Sequence, residues 1–177
     1  MNEHSSKARR RVLPLASPLL STAVTLEADA TITAAEVATI IELAHRRRAR
    51  TVVIGSGRST NAIETTRAIG AAWDMAGGQI LDAITWPEIG ASWLRQATRF
   101  ASADPDLWIM TGPATGWAQM TRRLLWSTHW TPSRTLATSG IGNARVLALV
   151  GLANLNGLTG AAADGSEWSV SSDALTP

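Results

Sequence analysis

The sequence has 177 residues, a hydrophobic fraction of 45%, a charged fraction of 17% and a formal net charge of +2. These values are typical of one globular domain with a substantial core, and they exclude a disordered chain. The absence of cysteine excludes disulfides, zinc–thiolate centres and a cysteine nucleophile. The small net charge gives no indication of nucleic-acid binding.

The first thirty residues contain two competing signals. Residues 1–10 are polar, which predicts a disordered N-terminus. A mostly apolar stretch from Val12 to Leu26 follows, and Ala28-Asp29-Ala30 has the small-x-small form of a signal-peptidase site. Because Pro14 and Pro18 interrupt the apolar stretch, we interpret it as part of the fold, a short strand followed by a Ser-Pro loop. A cleaved signal peptide is the alternative interpretation.

The rest of the chain alternates between helix and strand patterns. Thr33-Ala34-Ala35-Glu36 has the form of a capping box, and apolar residues follow it at helical spacing. Thr51-Val52-Val53-Ile54 is a β-branched run, typical of a buried strand. In chain order, the patterns predict a helix at 34–48, a strand at 51–54, a helix at 60–76, a strand at 79–84, a helix at 91–101, a strand at 107–110, a helix at 114–125, a strand at 134–137, a helix at 143–150 and a strand at 158–161.

This alternation predicts a single α/β domain over residues 11–163, with three layers and helices on both faces of a mostly parallel sheet. The polar, Ser-rich sequence at 164–177 predicts a loose C-terminal tail. In such folds ligands bind in the loops that follow the strands.

One of these loops, Gly55-Ser56-Gly57-Arg58-Ser59-Thr60, ends a strand and opens a helix. Its backbone amides, with Arg58 and the hydroxyl groups, could hold a carboxylate or a phosphate at the helix N-terminus. The loop lacks the Gly-Lys-Ser/Thr end of a P-loop and the third glycine of a dinucleotide fingerprint. An ordinary turn capped by Ser59 or Thr60 is the alternative.

No catalytic constellation is recognisable. His4, His45 and His129 are widely scattered, and none has a second ligand at metal-binding spacing. Glu36 and Glu64 occupy positions typical of helix first turns. The sequence contains no Gly-x-Ser-x-Gly nucleophile elbow. We therefore predict a protein that is not an enzyme and has no catalytic residues, no metal and no cofactor.

Seven short segments follow one another in a definite order between residues 11 and 165. They are Leu15–Thr22, Thr51–Ile54, Ala76–Gly78, Asp104–Leu107, Gln119–Arg122, Gly140–Ala144 and Leu155–Gly160. In order and spacing they resemble the second lobe of type I periplasmic solute-binding proteins, of the leucine/isoleucine/valine-binding family.

The resemblance implies a clamshell that closes on a small, amino-acid-like ligand and delivers it to the membrane permease of an ABC transporter. It implies a periplasmic or cell-surface location and no nucleic-acid partner. The implied contacts lie in the loops already placed at the strand ends. The implied ligand-binding residues are Ser17, Ser21, Thr22, Arg58, Ser59, Thr60, Thr111, Gly112 and Ser139.

Three departures from the family pattern bear on the ligand. Ser139 stands where amino-acid binders carry an acidic residue, the chain has no tyrosine, and most of the first lobe is missing. A lone lobe exposes an apolar face, which favours a homodimer or a partner chain. The alternative function is therefore a regulatory or structural α/β domain that has lost ligand binding and acts through protein association.

Overall fold

The computed structural model describes residues 31–171 and 174–176. The predicted disordered N-terminus, the short first strand and the Ser-Pro loop lie outside these residues.

The described helices are α1 (Ala34–Arg46), α2 (Thr60–Met75), α3 (Leu94–Ser102), α4 (Ala114–Ser127) and α5 (Ala144–Ala148). The strands are β1 (Thr51–Ser56), β2 (Gln79–Thr85), β3 (Leu107–Thr111), β4 (Thr135–Ala137), β5 (Thr159–Ala161), β6 (Glu167–Ser171) and β7 (Ala174–Thr176). Short 3-10 helices precede β4 and β5, at Pro132–Arg134 and Leu152–Leu155.

These strands form one seven-stranded sheet in the order β2-β1-β3-β4-β5-β6-β7. Strands β1 to β5 are parallel, and β6 and β7 continue the sheet in antiparallel pairing. The prediction of an α/β fold with a mostly parallel sheet is therefore confirmed. The chain order reverses between β1 and β3, which creates a topological switch point at their carboxyl ends.

The sheet separates two hydrophobic cores. Helices α1 and α2 cover one face through Ile40, Ile69 and Trp73, which pack against β-branched residues of β1. The other face is rich in tryptophan, and Trp108 and Trp117 lie in its core with Phe100 from α3. Burial on both faces explains why β1 and β3 read as continuous apolar runs rather than alternating ones.

Helix α1 begins as predicted, but half of its capping box is missing. The Thr33 side chain accepts a hydrogen bond from the Glu36 amide at 3.1 Å. The Glu36 carboxylate, however, points away from the cap and binds Ser139 across the end of the sheet. A tertiary contact thus replaces the local one.

Helix α3 begins at Leu94, three residues later than the predicted 91. The Trp93 indole N–H donates to the Pro87 carbonyl at 2.9 Å, which holds the chain after β2 in an irregular loop until the helix starts. This loop, residues 86–93, lies over the carboxyl end of the sheet.

The prediction of a loose tail from residue 164 is wrong for the described part of that segment. Residues 162–166 form a turn in which Gly165 has φ +86°, and β6 then pairs antiparallel with β5. Trp168 and Val170 are buried in the tryptophan-rich core. The alternating pattern of residues 167–171 is that of a half-buried strand, and the polar composition of the segment concealed it.

The tryptophans predicted to pack in the core mostly do so, since Trp73, Trp108, Trp117 and Trp130 are buried. Trp126 is the exception, with 86% of its surface exposed. None of the described helices has the length and apolar character needed to cross a membrane.

Candidate functional site

The candidate site is the edge where the parallel strands end, and backbone hydrogen bonds extend the strands into its loops. The Gly57 amide donates to the Thr111 carbonyl at 3.4 Å, and the Thr138 amide donates to the Met110 carbonyl at 3.2 Å. The loops after β1, β3 and β4 are therefore held side by side. This edge contains the described residues that the sequence assigned to ligand binding.

The loop after β1 forms a capped turn. The Ser59 hydroxyl accepts a hydrogen bond from the Ala62 amide at 3.1 Å and so caps α2. Arg58 and Thr60 are exposed at the start of the helix. The structure thus uses Ser59 locally, as the alternative interpretation expected, and leaves Arg58 and Thr60 accessible.

The loop after β3 lies against the loop after β1. Thr111 is buried, and its hydroxyl accepts from the Thr138 hydroxyl at 3.0 Å. Gly112 has φ +115°, and a Cβ atom there would stand 2.7 Å from the Gly57 nitrogen. A side chain at position 112 would force the two loops apart. Thr111 and Gly112 therefore hold the loops together.

A carboxylate from the chain itself fills the crevice at the switch point. The Glu88 Oε2 accepts a hydrogen bond from the Gly116 amide in the first turn of α4 at 3.0 Å. A Cβ atom at Gly57 or at Gly116 would collide with the Glu88 carboxylate oxygens. The Gly116 amide has no acceptor within its own helix, so Glu88 supplies one and also places a negative charge at the positive end of the α4 dipole.

A second carboxylate reaches the edge from α1. The Glu36 carboxylate accepts from the Ser139 amide at 2.6 Å and from the Ser139 hydroxyl at 3.2 Å. Glu36 is 1% exposed, whereas Ser139 is half-buried. Ser139 is therefore in contact with a buried carboxylate, which comes from a residue 103 positions earlier in the chain.

The predicted site residues thus fall into separate groups. Thr111 and Gly112 meet the neighbouring loops, Ser139 meets Glu36, and Arg58 lines a pocket beside β2. Ser17, Ser21 and Thr22 lie outside the described residues.

Sequence reasoning missed both Glu36 and Glu88 as residues of this edge. Glu36 had an adequate local explanation as a cap residue. Glu88 lies in a loop that contains Pro and Gly and follows a strand. Its position in such a loop could have indicated that it belongs to the ligand-facing edge.

The opposite, amino end of the sheet is organised around Asp106. Its carboxylate accepts from the amides of Arg50 and Thr51 at 2.8 and 2.9 Å and from the Thr51 hydroxyl at 3.0 Å. These hydrogen bonds, above all the one from the Arg50 amide, lower the pKa of Asp106 below its usual value. This carboxylate ties the start of β1 to the start of β3.

Two further features concern other kinds of site. The described residues contain no group of three or more His, Asp or Glu side chains placed to hold a metal ion. A mostly apolar groove of about 720 Å³ runs between α1 and α2 on the outer surface, and Val37, Ile41, Ala72 and Met75 are among its lining residues.

Comparison with solved structures finds the same fold in periplasmic ligand-binding proteins. The leucine binding protein of Thermotoga maritima superposes with a TM-score of 0.59 at 17% identity, over 70% of this chain and 35% of that one. A branched-chain amino acid ABC transporter periplasmic ligand-binding protein of Burkholderia xenovorans gives 0.57 at 13% identity, over 71% and 33%. A substrate-binding periplasmic protein of Ralstonia solanacearum gives 0.61 at 14% identity, over 75% and 37%.

The chain therefore spans about a third of the length of these structures and has the fold of one lobe. No family model matches the sequence, and the search of curated proteins also found no match. The neighbours are solute-binding proteins rather than enzymes.

Proposed function

We propose that this chain, which has the fold of one lobe, belongs to a ligand-binding module of the kind found in the substrate-binding components of ABC transporters. It acts without catalysing a reaction, binds a small solute at the carboxyl edge of its sheet, and presents it to a membrane permease. The proposed location is the periplasm or the cell surface.

One observation carries this proposal. The chain reproduces one lobe of periplasmic ligand-binding proteins, and its residues Arg58, Thr60 and Ser139 lie at the edge where ligands of open α/β folds bind. The loops there are held in place by Thr111, Gly112 and backbone hydrogen bonds. Such a prearranged edge lowers the entropic cost of binding.

The contact between Ser139 and Glu36 supports a ligand that carries an N–H donor. The Ser139 hydroxyl has one proton, and that proton is directed to Glu36, so the remaining lone pairs of the oxygen are acceptors. The buried negative charge of Glu36 polarises this hydroxyl further. Ser139 with Glu36 behind it would thus fill the role that an acidic side chain has in amino-acid binders. We propose an amino acid or an amide as the solute.

A thermal-shift screen with amino acids, amides and aromatic acids tests the proposal. A ligand at about 100 times its dissociation constant stabilises the folded state by about 2.7 kcal/mol, so the melting temperature of a chain this size rises by several degrees. Compounds with an N–H group should shift it more than matched carboxylic acids without one. If no small compound shifts the melting temperature and the protein is a dimer, solute binding is contradicted.

A matched pair of serine variants locates the site. Ser139→Ala removes the hydroxyl but keeps the hydrogen bond from the backbone amide of residue 139 to Glu36. Affinity for the solute should therefore fall about tenfold while the fold persists. Ser102→Ala is the control, because Ser102 is exposed at the end of α3 and its hydroxyl bonds the Arg99 carbonyl. Equal affinities of the two variants would place the solute elsewhere.

The apolar groove between α1 and α2 favours the alternative function, association with a second copy of the chain. Met75, one of its lining residues, is 83% exposed, and Val37 and Ile41 also line it. Burying such a surface in a homodimer would remove apolar area from water.

Analytical ultracentrifugation tests this alternative. A wild-type dimer that becomes a monomer on Met75→Glu, but not on Ile89→Glu at another exposed apolar residue, would support it. A monomer at all concentrations would contradict it.

A further inference from the structure

A second, polar pocket lies beside the edge strand β2 and is distinct from the loops after β3 and β4. It has a volume of about 270 Å³ and lies between the carboxyl end of β2 and helix α3. Arg95, Gln96 and Arg99 line it from α3, Thr85 lines it from β2, and Arg58 reaches it from the loop after β1.

Three arginines line this one pocket, and one of them, Arg99, is paired with a carboxylate. Arg99 donates two hydrogen bonds to Asp82, at 2.8 and 2.9 Å. Arg58 and Arg95 form no ion pair or hydrogen bond with any residue in the described ranges 31–171 and 174–176. The three guanidinium groups and Asp82 together carry a net charge of +2.

Like charges around a small space repel one another, so an empty pocket of this kind is electrostatically unfavourable. An oxyanion relieves that repulsion and accepts charge-assisted hydrogen bonds from the guanidinium forks, whose planar geometry matches carboxylate and phosphate. Thr85 and Gln96 add a hydroxyl and an amide donor. The volume suits a small ligand rather than a nucleotide or a peptide.

We propose that this pocket binds a small dianion, an inorganic phosphate, a phosphate monoester or a short dicarboxylate, between Arg58 and Arg95. The ion pair with Asp82 holds Arg99 in place beside the bound anion. The inference does not depend on the proposed solute site, because Arg58 alone is common to the two.

Isothermal titration calorimetry with inorganic phosphate and with malonate, at fixed low ionic strength in chloride, tests the proposal. At least one of these probes should bind to the wild-type chain, and the stronger one identifies phosphate or dicarboxylate as the source of the oxyanion. Arg95→Gln and Arg58→Gln should each weaken binding at least about tenfold.

Arg67→Gln is the matched control, because it removes the same charge from an exposed position on α2, on the opposite face of the sheet. Its affinity for the probe should remain within about twofold of wild type. The proposal is overturned if neither probe binds, or if Arg95→Gln and Arg67→Gln weaken binding equally. Amino-acid binding measured in Arg95→Gln separates the two sites, since loss of phosphate or malonate binding should leave it unchanged.

Discussion

The charged side chains at the two ends of the parallel sheet differ in whether they are paired within the protein. At the amino end, the Asp106 carboxylate accepts three hydrogen bonds. Arg134 forms an ion pair with Asp104, and its guanidinium carbon lies 4.6 Å from the centre of the Trp108 ring. The Arg47 guanidinium donates to the Ser133 carbonyl and to the Thr159 hydroxyl. At the carboxyl end, by contrast, Arg58 and Arg95 have no ion pair with a described residue.

This contrast shows where the chain keeps interaction capacity for other molecules. Charged groups at the amino end join strands and loops, so they contribute to stability. Exposed guanidinium groups at the carboxyl end contribute little to stability and are the groups that a ligand can meet. Changes to the paired charges of the amino end should alter folding, and changes to the unpaired arginines of the carboxyl end should alter binding.

The largest effect is expected where the core supports the carboxyl end. Trp168 from β6 lies against Gly142 and Gly160, in contact with the loop after β4. Trp168→Ala should reduce the free energy of unfolding by about 3–5 kcal/mol, because it leaves a large cavity in the core. Urea denaturation measures this, and Trp126→Ala, at an exposed tryptophan, should cost far less. If both variants lose a similar amount of unfolding free energy, residues 167–171 do not pack in the core and form a loose tail instead.

A smaller effect is expected at Glu36. Glu36→Ala removes the buried acceptor of the Ser139 amide and hydroxyl and should cost about 2 kcal/mol. Glu64→Ala, at an exposed site on α2, is the control in the same denaturation experiment. If Glu36→Ala is as stable as Glu64→Ala, the contact between α1 and the loop after β4 has no energetic role.

The amino end should respond to pH through Asp106. Its lowered pKa means that the folded state favours the ionised carboxylate. The stabilisation is present above the unfolded pKa of about 4 and is lost as the pH falls through the lower folded value. Since Asp106 is exposed, solvent screening limits its contribution to about 1 kcal/mol.

Asp106→Asn should therefore be less stable than wild type at pH 7, and the difference should shrink below about pH 4. Unfolding curves recorded between pH 7 and pH 2 follow this convergence. Asp74→Asn, exposed near the end of α2, is the control and should show less of the effect. A constant gap across the pH range would argue against the hydrogen-bond network as its cause.

The smallest effect is expected at the unpaired arginines. Arg58→Gln and Arg95→Gln should leave the melting temperature unchanged or raise it slightly at low salt, because each relieves repulsion in the pocket. The increase should vanish in high salt, where such repulsion is screened. A clear loss of stability in either variant would show that these two arginines, like the charged groups of the amino end, contribute to folding.

Local sequence patterns predicted most of the elements well. Helix α2 was expected at 60–76 and spans Thr60–Met75, and strand β3 was expected at 107–110 and spans Leu107–Thr111. Ser59 was correctly weighed as a cap. The errors occurred where composition concealed periodicity, as in β6, or where a loop is held by a distant contact, as at the start of α3.

The candidate site was less predictable than the fold. Arg58 and Ser139 were named from the sequence, but Glu36 and Glu88, which form hydrogen bonds at the same edge, were not. Each had a sufficient local explanation as a first-turn residue or a loop residue. Nothing in the neighbouring sequence specifies a partner that lies 28 or 103 positions away.

By itself, then, the sequence determined the alternation of helices and strands, the parallel sheet and the edge at which its loops gather. These features follow from side-chain periods of 2 and 3.6 residues and from turn residues, which act over short distances along the chain. Only the tertiary structure decided which charges at that edge are already paired and which remain exposed. That outcome depends on how α1, α3 and the loop after β2 meet at one end of the sheet.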